Sequence, residues 1–136
     1  MGALVSVVDD LRVEGPELVS YIKENDVESL LSAMLVENFD VNATYGGRVE
    51  DYILKGGKTL LVYAVTEGNY VMCDLLLQHG ADVNFRGYHG HTALHYASRM
   101  GLVEVVELLL GYNCDVNTKD NSGKIVVIFF FYNPSF

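Results

Sequence analysis

The sequence predicts an all-α solenoid, a stack of antiparallel helix pairs joined by β-hairpin-like turns, and three observations carry that expectation. First, sliding the chain by 33 residues aligns Gly57-Lys58-Thr59-Leu60-Leu61 with Gly90-His91-Thr92-Ala93-Leu94 and Tyr63-Ala64 with Tyr96-Ala97. It also brings Gly68 onto Gly101, Leu75-Leu76-Leu77 onto Leu108-Leu109-Leu110 and Asp82-Val83-Asn84 onto Asp115-Val116-Asn117, without a gap. Self-similarity at a fixed period of this size marks stacked supersecondary units. Second, each period contains the start and stop signals of two short helices. Third, 136 residues, half of them apolar and a fifth charged, suffice for one core and not for two.

The elements follow in order. Residues 1–15 are an N-terminal segment, and residues 16–42 a degenerate first unit that ends in Asp40-Val41-Asn42 and keeps only a second helix. A polar, irregular first unit suits the capping role that a stack's end requires. Residues 43–56 form an extended finger bounded by glycine pairs, Gly46-Gly47 and Gly56-Gly57. Residues 57–89 and 90–122 are the two regular repeats, with helix pairs expected at 59–67 and 70–79, then at 92–100 and 103–111. Thr92 reads as an N-cap with His95 reaching back to it. Gly101 stops the first helix, and Asn113 replaces Gly80 where the second helix ends in a left-handed residue. Val105, Val106, Leu108 and Leu109 supply the buried stripe.

The third repeat start, Gly123-Lys124, opens residues 123–136 but leads into Ile125-Val126-Val127-Ile128-Phe129-Phe130-Phe131. Bulky β-branched and aromatic residues favour strand and cannot replace a small alanine face. The array is expected to be cut short there, with the tail folded over the apolar flank of the last full unit; the alternative is an exposed apolar patch that drives self-association.

These motifs resemble the ankyrin repeat family over about residues 16–124. The departures are Leu60 and Ala93 where the family's proline usually stands, and Val62 in the place of His95. The resemblance implies a protein-interaction surface in the concave groove, made by turn tips and first helices. Carried over by position, the expected partner-binding residues are Tyr63, Thr66, Glu67, Tyr96, Arg99 and Met100 on the first helices. The tips add Phe85, Arg86, Tyr88, His89 and His91, then Lys119, Asp120 and Asn121. Packing of Tyr63 on Tyr96 across the stack is the alternative for that pair. Tyr45, Arg48, Tyr52 and Lys55 mark the finger as a second candidate surface. Leu76 and Leu109 lie upstream of Asp-Val-Asn in a context that resembles that of ankyrin-repeat asparagine hydroxylation, which makes Asn84 and Asn117 candidate substrates.

Other chemistry finds little support. Nine Lys and Arg against 18 Asp and Glu leave a net charge of −9, the wrong sign for a general nucleic-acid binder. Eleven of those acids fall in residues 1–51 against three bases. That excess can attract a basic partner, and an ordinary solvated surface explains it equally. Gly56-Gly57-Lys58-Thr59 lacks the earlier glycine of a phosphate-binding loop, having Tyr52 there. His89, His91 and His95 lack a nearby cysteine or carboxylate to complete a metal site, so neither metal nor cofactor is expected. No nucleophile and base are paired, and no enzyme or small-molecule site is predicted. Asn42-Ala43-Thr44 fits the glycosylation pattern by chance, and Gly2 with Ser6 fits the myristoylation template without a polybasic stretch to support it. Two cysteines, no secretory pattern and no apolar run of membrane-spanning length place the chain in the cytoplasm or nucleus. The expected function is a non-catalytic module that binds a protein or peptide. The alternative is a scaffold fragment of a longer repeat protein.

Overall fold

A computed structural model describes residues 15–45 and 57–125. Helices α1 (Gly15–Lys23) and α2 (Val27–Met34) form the first pair, α3 (Leu60–Thr66) and α4 (Tyr70–Gln78) the second, and α5 (Ala93–Arg99) and α6 (Val103–Gly111) the third. The first helices α1, α3 and α5 pack in sequence to form one layer, and α4 and α6 pack together in the other. The all-α solenoid is what the sequence predicts.

Local chemistry sets the boundaries. Asp26, Thr59, Asn69 and Thr92 cap α2, α3, α4 and α5, each accepting a backbone N–H from its first turn. Gly68 and Gly101 turn the chain between paired helices with φ of +65° and +70°, and Asn25 holds the same corner of the first unit at +57°. Asn113 takes φ +60° where the equivalent Gly80 takes +90°, a substitution that asparagine tolerates best among residues with a Cβ.

The apolar residues at the centre of the match disappear from solvent. Leu61 and Leu94, Ala64 and Ala97, and Leu76 and Leu109 are all at most 2 % exposed. The alanines let neighbouring first helices approach closely. The Asp-Val-Asn turns add a polar spine. Asp40, Asp82 and Asp115 each accept the backbone N–H of their own asparagine. Asn42 and Asn84 then each accept the N–H of the next unit's aspartate at 2.7 Å. The motif therefore closes its own turn and ties it to the following unit.

One feature differs from the sequence expectation. The first unit keeps both helices. Leu18 and Ile22, one helical turn apart, are buried, and α1 packs on α3; that contact selects helix without the threonine motif. The expected β-hairpin-like turns form backbone pairs: β1 (Thr44–Tyr45) pairs antiparallel with β2 (Lys58–Thr59), and an isolated bridge joins Lys119 to Ile125. Residues 46–56, with Arg48, Tyr52 and Lys55, lie outside the described residues. So do the expected tail at 126–136, the segment 1–14 and its Gly2.

Candidate functional site

The turn tips and the first-helix layer meet around Tyr96. Lys58, brought there by β2, holds its ammonium 5.9 Å from the Tyr63 ring centre and 5.6 Å from that of Tyr96. The Arg99 guanidinium, three residues along α5, lies 5.8 Å from the same Tyr96 ring. Cation–ring contacts of this length contribute about 0.5–1 kcal/mol at exposed sites. His91 meets Tyr96 edge-on at 5.5 Å. Lys58 thus joins the two tyrosines that the sequence leaves either packed together or facing a partner. The Tyr63 hydroxyl donates to the Tyr45 carbonyl at 3.4 Å, fastening α3 to the base of the finger, and partial burial pushes its ionisation up.

The last tip is organised from within. Asp120 accepts from the Ser122 hydroxyl at 2.7 Å and from the backbone N–H groups of Ser122 and Lys124, both at 2.9 Å. The Ser122 hydroxyl and the Lys124 amide hold its carboxyl well below the usual carboxylate range. His91 Nε2 lies 3.2 Å from the other carboxylate oxygen. Desolvation lowers the His91 pKa, and the Asp120 hydrogen bond only partly offsets it. The neutral ring donates its Nε2–H to Asp120, so the same nitrogen cannot accept from Arg99, whose Nη2 is 3.4 Å away. Arg86 crosses between tips, donating to the Lys119 carbonyl at 2.7 Å. Its neighbour Gly90 has φ +73°, and a Cβ there would collide with Asn121.

The predicted residues divide by exposure. Glu67, Arg86, His89, Arg99, Met100, Lys119 and Asn121 are exposed, whereas Tyr63, Thr66, Phe85, His91 and Tyr96 are half-buried. Thr66 turns its hydroxyl onto the Tyr63 carbonyl. Tyr88 begins a short 3₁₀ turn, Tyr88–Gly90. Asp120 is 8 % exposed, because its turn folds around the carboxylate. Tyr45 packs half-buried at the hairpin base. Asn84 and Asn117 are exposed. Lys58 and Lys124 escaped the sequence selection, although both stand one period from His91, which it included.

Arg99, His91, Asp120 and Lys124 help to line an open cleft of about 450 Å³. A second, of about 460 Å³, lies on the opposite layer among Tyr70, Glu104, Glu107 and Tyr112. His95 Nδ1 is committed to Thr92, accepting its backbone N–H at 3.0 Å, and the described residues contain no cluster suited to a metal ion. Thr59 caps α3 in the segment that resembles a phosphate loop. No helix among the described residues is long and apolar enough to cross a membrane.

Paired helices in two layers with ordered tips define a repeat solenoid of the interaction-module class. A family model described as ankyrin repeats, in three copies, matches residues 18–120. The chain belongs to the ankyrin-repeat family, and its repeats indicate a protein-interaction module of a type that is ordinarily non-catalytic. Two similar proteins of Arabidopsis thaliana are the ADP-ribosylation factor GTPase-activating proteins AGD2 and AGD4. They are 51% and 54% identical over 39 residues, which is 29% of this chain and 5% of each relative. A protein of Oryza sativa subsp. japonica named "Probable E3 ubiquitin-protein ligase XBOS32" is 34% identical over 81 residues, 59% of this chain and 14% of that protein. The chain therefore spans a small part of the curated relatives it matches.

Proposed function

We propose that this chain binds a partner protein or peptide through the groove between its first helices and turn tips. The carrying observation is the patch in which Lys58 and Arg99 flank the half-buried Tyr96 beside Tyr63. Tyrosine and arginine supply much of the energy of protein interfaces, because they bring large contact areas at modest entropic cost. The exposed Met100 and the tip residues Arg86, Lys119 and Asn121 extend the same surface. A reducing compartment, cytoplasm or nucleus, is the proposed setting; the free thiols of Cys73 and Cys114 support it.

Affinity capture from the source cell with the intact chain tests this reading. A Tyr96→Ala/Arg99→Ala variant should lose proteins that a Glu107→Gln variant on the opposite layer retains. Equal capture by both variants would remove the groove from the binding surface. A scaffold role within a longer protein is the second reading, supported by the small share of its relatives' length that the chain matches. It predicts that a longer chain captures proteins which this one never does.

A further inference from the structure

Charge in this molecule is sorted by layer. The second helices α2, α4 and α6 carry Glu28, Asp74, Glu104 and Glu107 and neither lysine nor arginine. Every lysine or arginine between residues 57 and 125 stands instead at a tip or on a first helix. They also keep register. Lys58, His91 and Lys124 recur at one repeat position, and Arg86 and Lys119 at another, each 33 residues apart. Arg99 adds a cation beside the first row, 3.4 Å from His91 and against the ring that Lys58 also approaches.

Among the described residues no carboxylate is ion-paired with these lysines and arginines. Among the described residues the one ion pair is His91 with Asp120, and Asp120 is already occupied by the donors of its own turn. Asp82 and Asp115 serve their own Asp-Val-Asn turns. Glu67 stands past the C-terminal end of α3, and it forms no ion pair among the described residues. A cationic strip thus runs along an otherwise acidic molecule, and such a strip concentrates ligands of opposite charge. A net charge of −9 repels the long-range field of a nucleic acid, whereas a short acidic segment meets only the strip.

We propose that this strip docks an acidic, extended segment of the partner, with carboxylates at Lys58 and Arg99 around Tyr96 and the chain running toward Lys119 and Lys124. The proposal rests on the groove reading above and gives its partner a chemical class.

A random peptide-display selection on the immobilised intact chain, followed by affinity measurement of the enriched peptides, provides the test. Peptides rich in aspartate and glutamate should be enriched, with binding that weakens as salt rises. Lys58→Glu/Arg99→Glu should weaken them at least about tenfold, while Glu104→Gln/Glu107→Gln leaves them unchanged. Circular dichroism checks each variant's fold, and Lys58→Gln/Arg99→Gln replaces the charge reversal should it unfold the chain. Enrichment of neutral or basic peptides that still need Tyr96 overturns the acidic partner and leaves the groove reading intact. Peptides indifferent to every first-helix variant, or no enrichment at all, overturn both. A short single-stranded RNA that outcompetes the acidic peptide at the same residues also overturns the proposal.

Discussion

Removing one hydroxyl from each regular repeat should cost unequal amounts, because the two caps are built differently. Thr59 and Thr92 are equivalent in the repeat and almost equally buried, at 3 % and 2 % exposed. Thr59 accepts one cap hydrogen bond, from the Val62 amide at 3.3 Å. Thr92 accepts the matching bond from His95 at 3.4 Å and places the same hydroxyl 2.8 Å from His95 Nδ1. That nitrogen also accepts the Thr92 amide at 3.0 Å, so the ring carries its proton on Nε2, which faces the Lys124 carbonyl at 3.5 Å.

Replacement by alanine removes the same methyl group at both sites, and that loss largely cancels in the comparison. One cap is worth about 1 kcal/mol. The second hydrogen bond adds about 1 kcal/mol more. Thr59→Ala should therefore destabilise by about 1 kcal/mol and Thr92→Ala by about 2 kcal/mol. Urea unfolding followed by helical circular dichroism measures both, with unchanged slopes showing that the same surface is exposed. A His95→Val background, which copies the second unit, should bring the two costs together. Equal losses in the parent chain, or a Thr92→Ala loss that is undiminished in the His95→Val background, would refute the doubled cap.

Acidification should destabilise the fold by way of His91. Its folded pKa is lowered, so its contribution is present above about 6.5, the unfolded value, and is lost as pH falls toward the lower folded value. Asp120, also lowered, adds a loss only below about pH 4. A melting-temperature profile between pH 7 and 5 should fall more for the parent than for His91→Asn; equal falls would show that other groups govern this window. Ser98 carries a buried hydroxyl without a partner among the described residues, so Ser98→Ala should raise stability by about 1 kcal/mol in urea unfolding. Burial pushes the Cys73 thiol up to about 12. At pH 8 a disulfide reagent should therefore modify half-buried Cys114 first and reach Cys73 only at the unfolding rate, and rapid native labelling of Cys73 would contradict its place in the core.

Legibility followed the range of the interaction that decides each residue. Thr92 with His95, the Gly101 stop and the left-handed Asn113 are local, within a helical turn, and all three read directly from sequence. Asp120 was obscure because it sits between Lys119 and Asn121, where any polar residue reads as exposed. Its inward turn depends on Ser122 and Lys124 closing around it, and on His91 arriving from 29 positions away. Helix α1 lacks the family motif, and what selects it is tertiary contact with α3. Lys58 looked like a register residue of the repeat; its two aromatic neighbours lie on different helices and come together only in the stack.

Buried agreement between the two regular repeats marks architecture, and exposed disagreement marks candidate recognition. Where they agree, at Thr59 and Thr92, Leu61 and Leu94, Ala64 and Ala97, and Leu76 and Leu109, the side chains are buried, and neighbour packing leaves no room for choice. Some differences stay inside the stack, Leu60 for Ala93 and Val62 for His95; at its surface Lys58 becomes His91, Thr66 becomes Arg99 and Glu67 becomes Met100. All six of these surface residues are half-buried or exposed, so substitution there costs the stack little. Tyr63 and Tyr96 fall between the two classes, identical in type yet half-buried, with one shared lysine against both rings. A constant aromatic pair surrounded by changing charge fits a surface whose area comes from the tyrosines and whose selectivity comes from their neighbours. The exchange of Thr66 for Arg99 then carries the most weight, because it puts a second cation on the Tyr96 ring and makes the third unit's face unlike the second's.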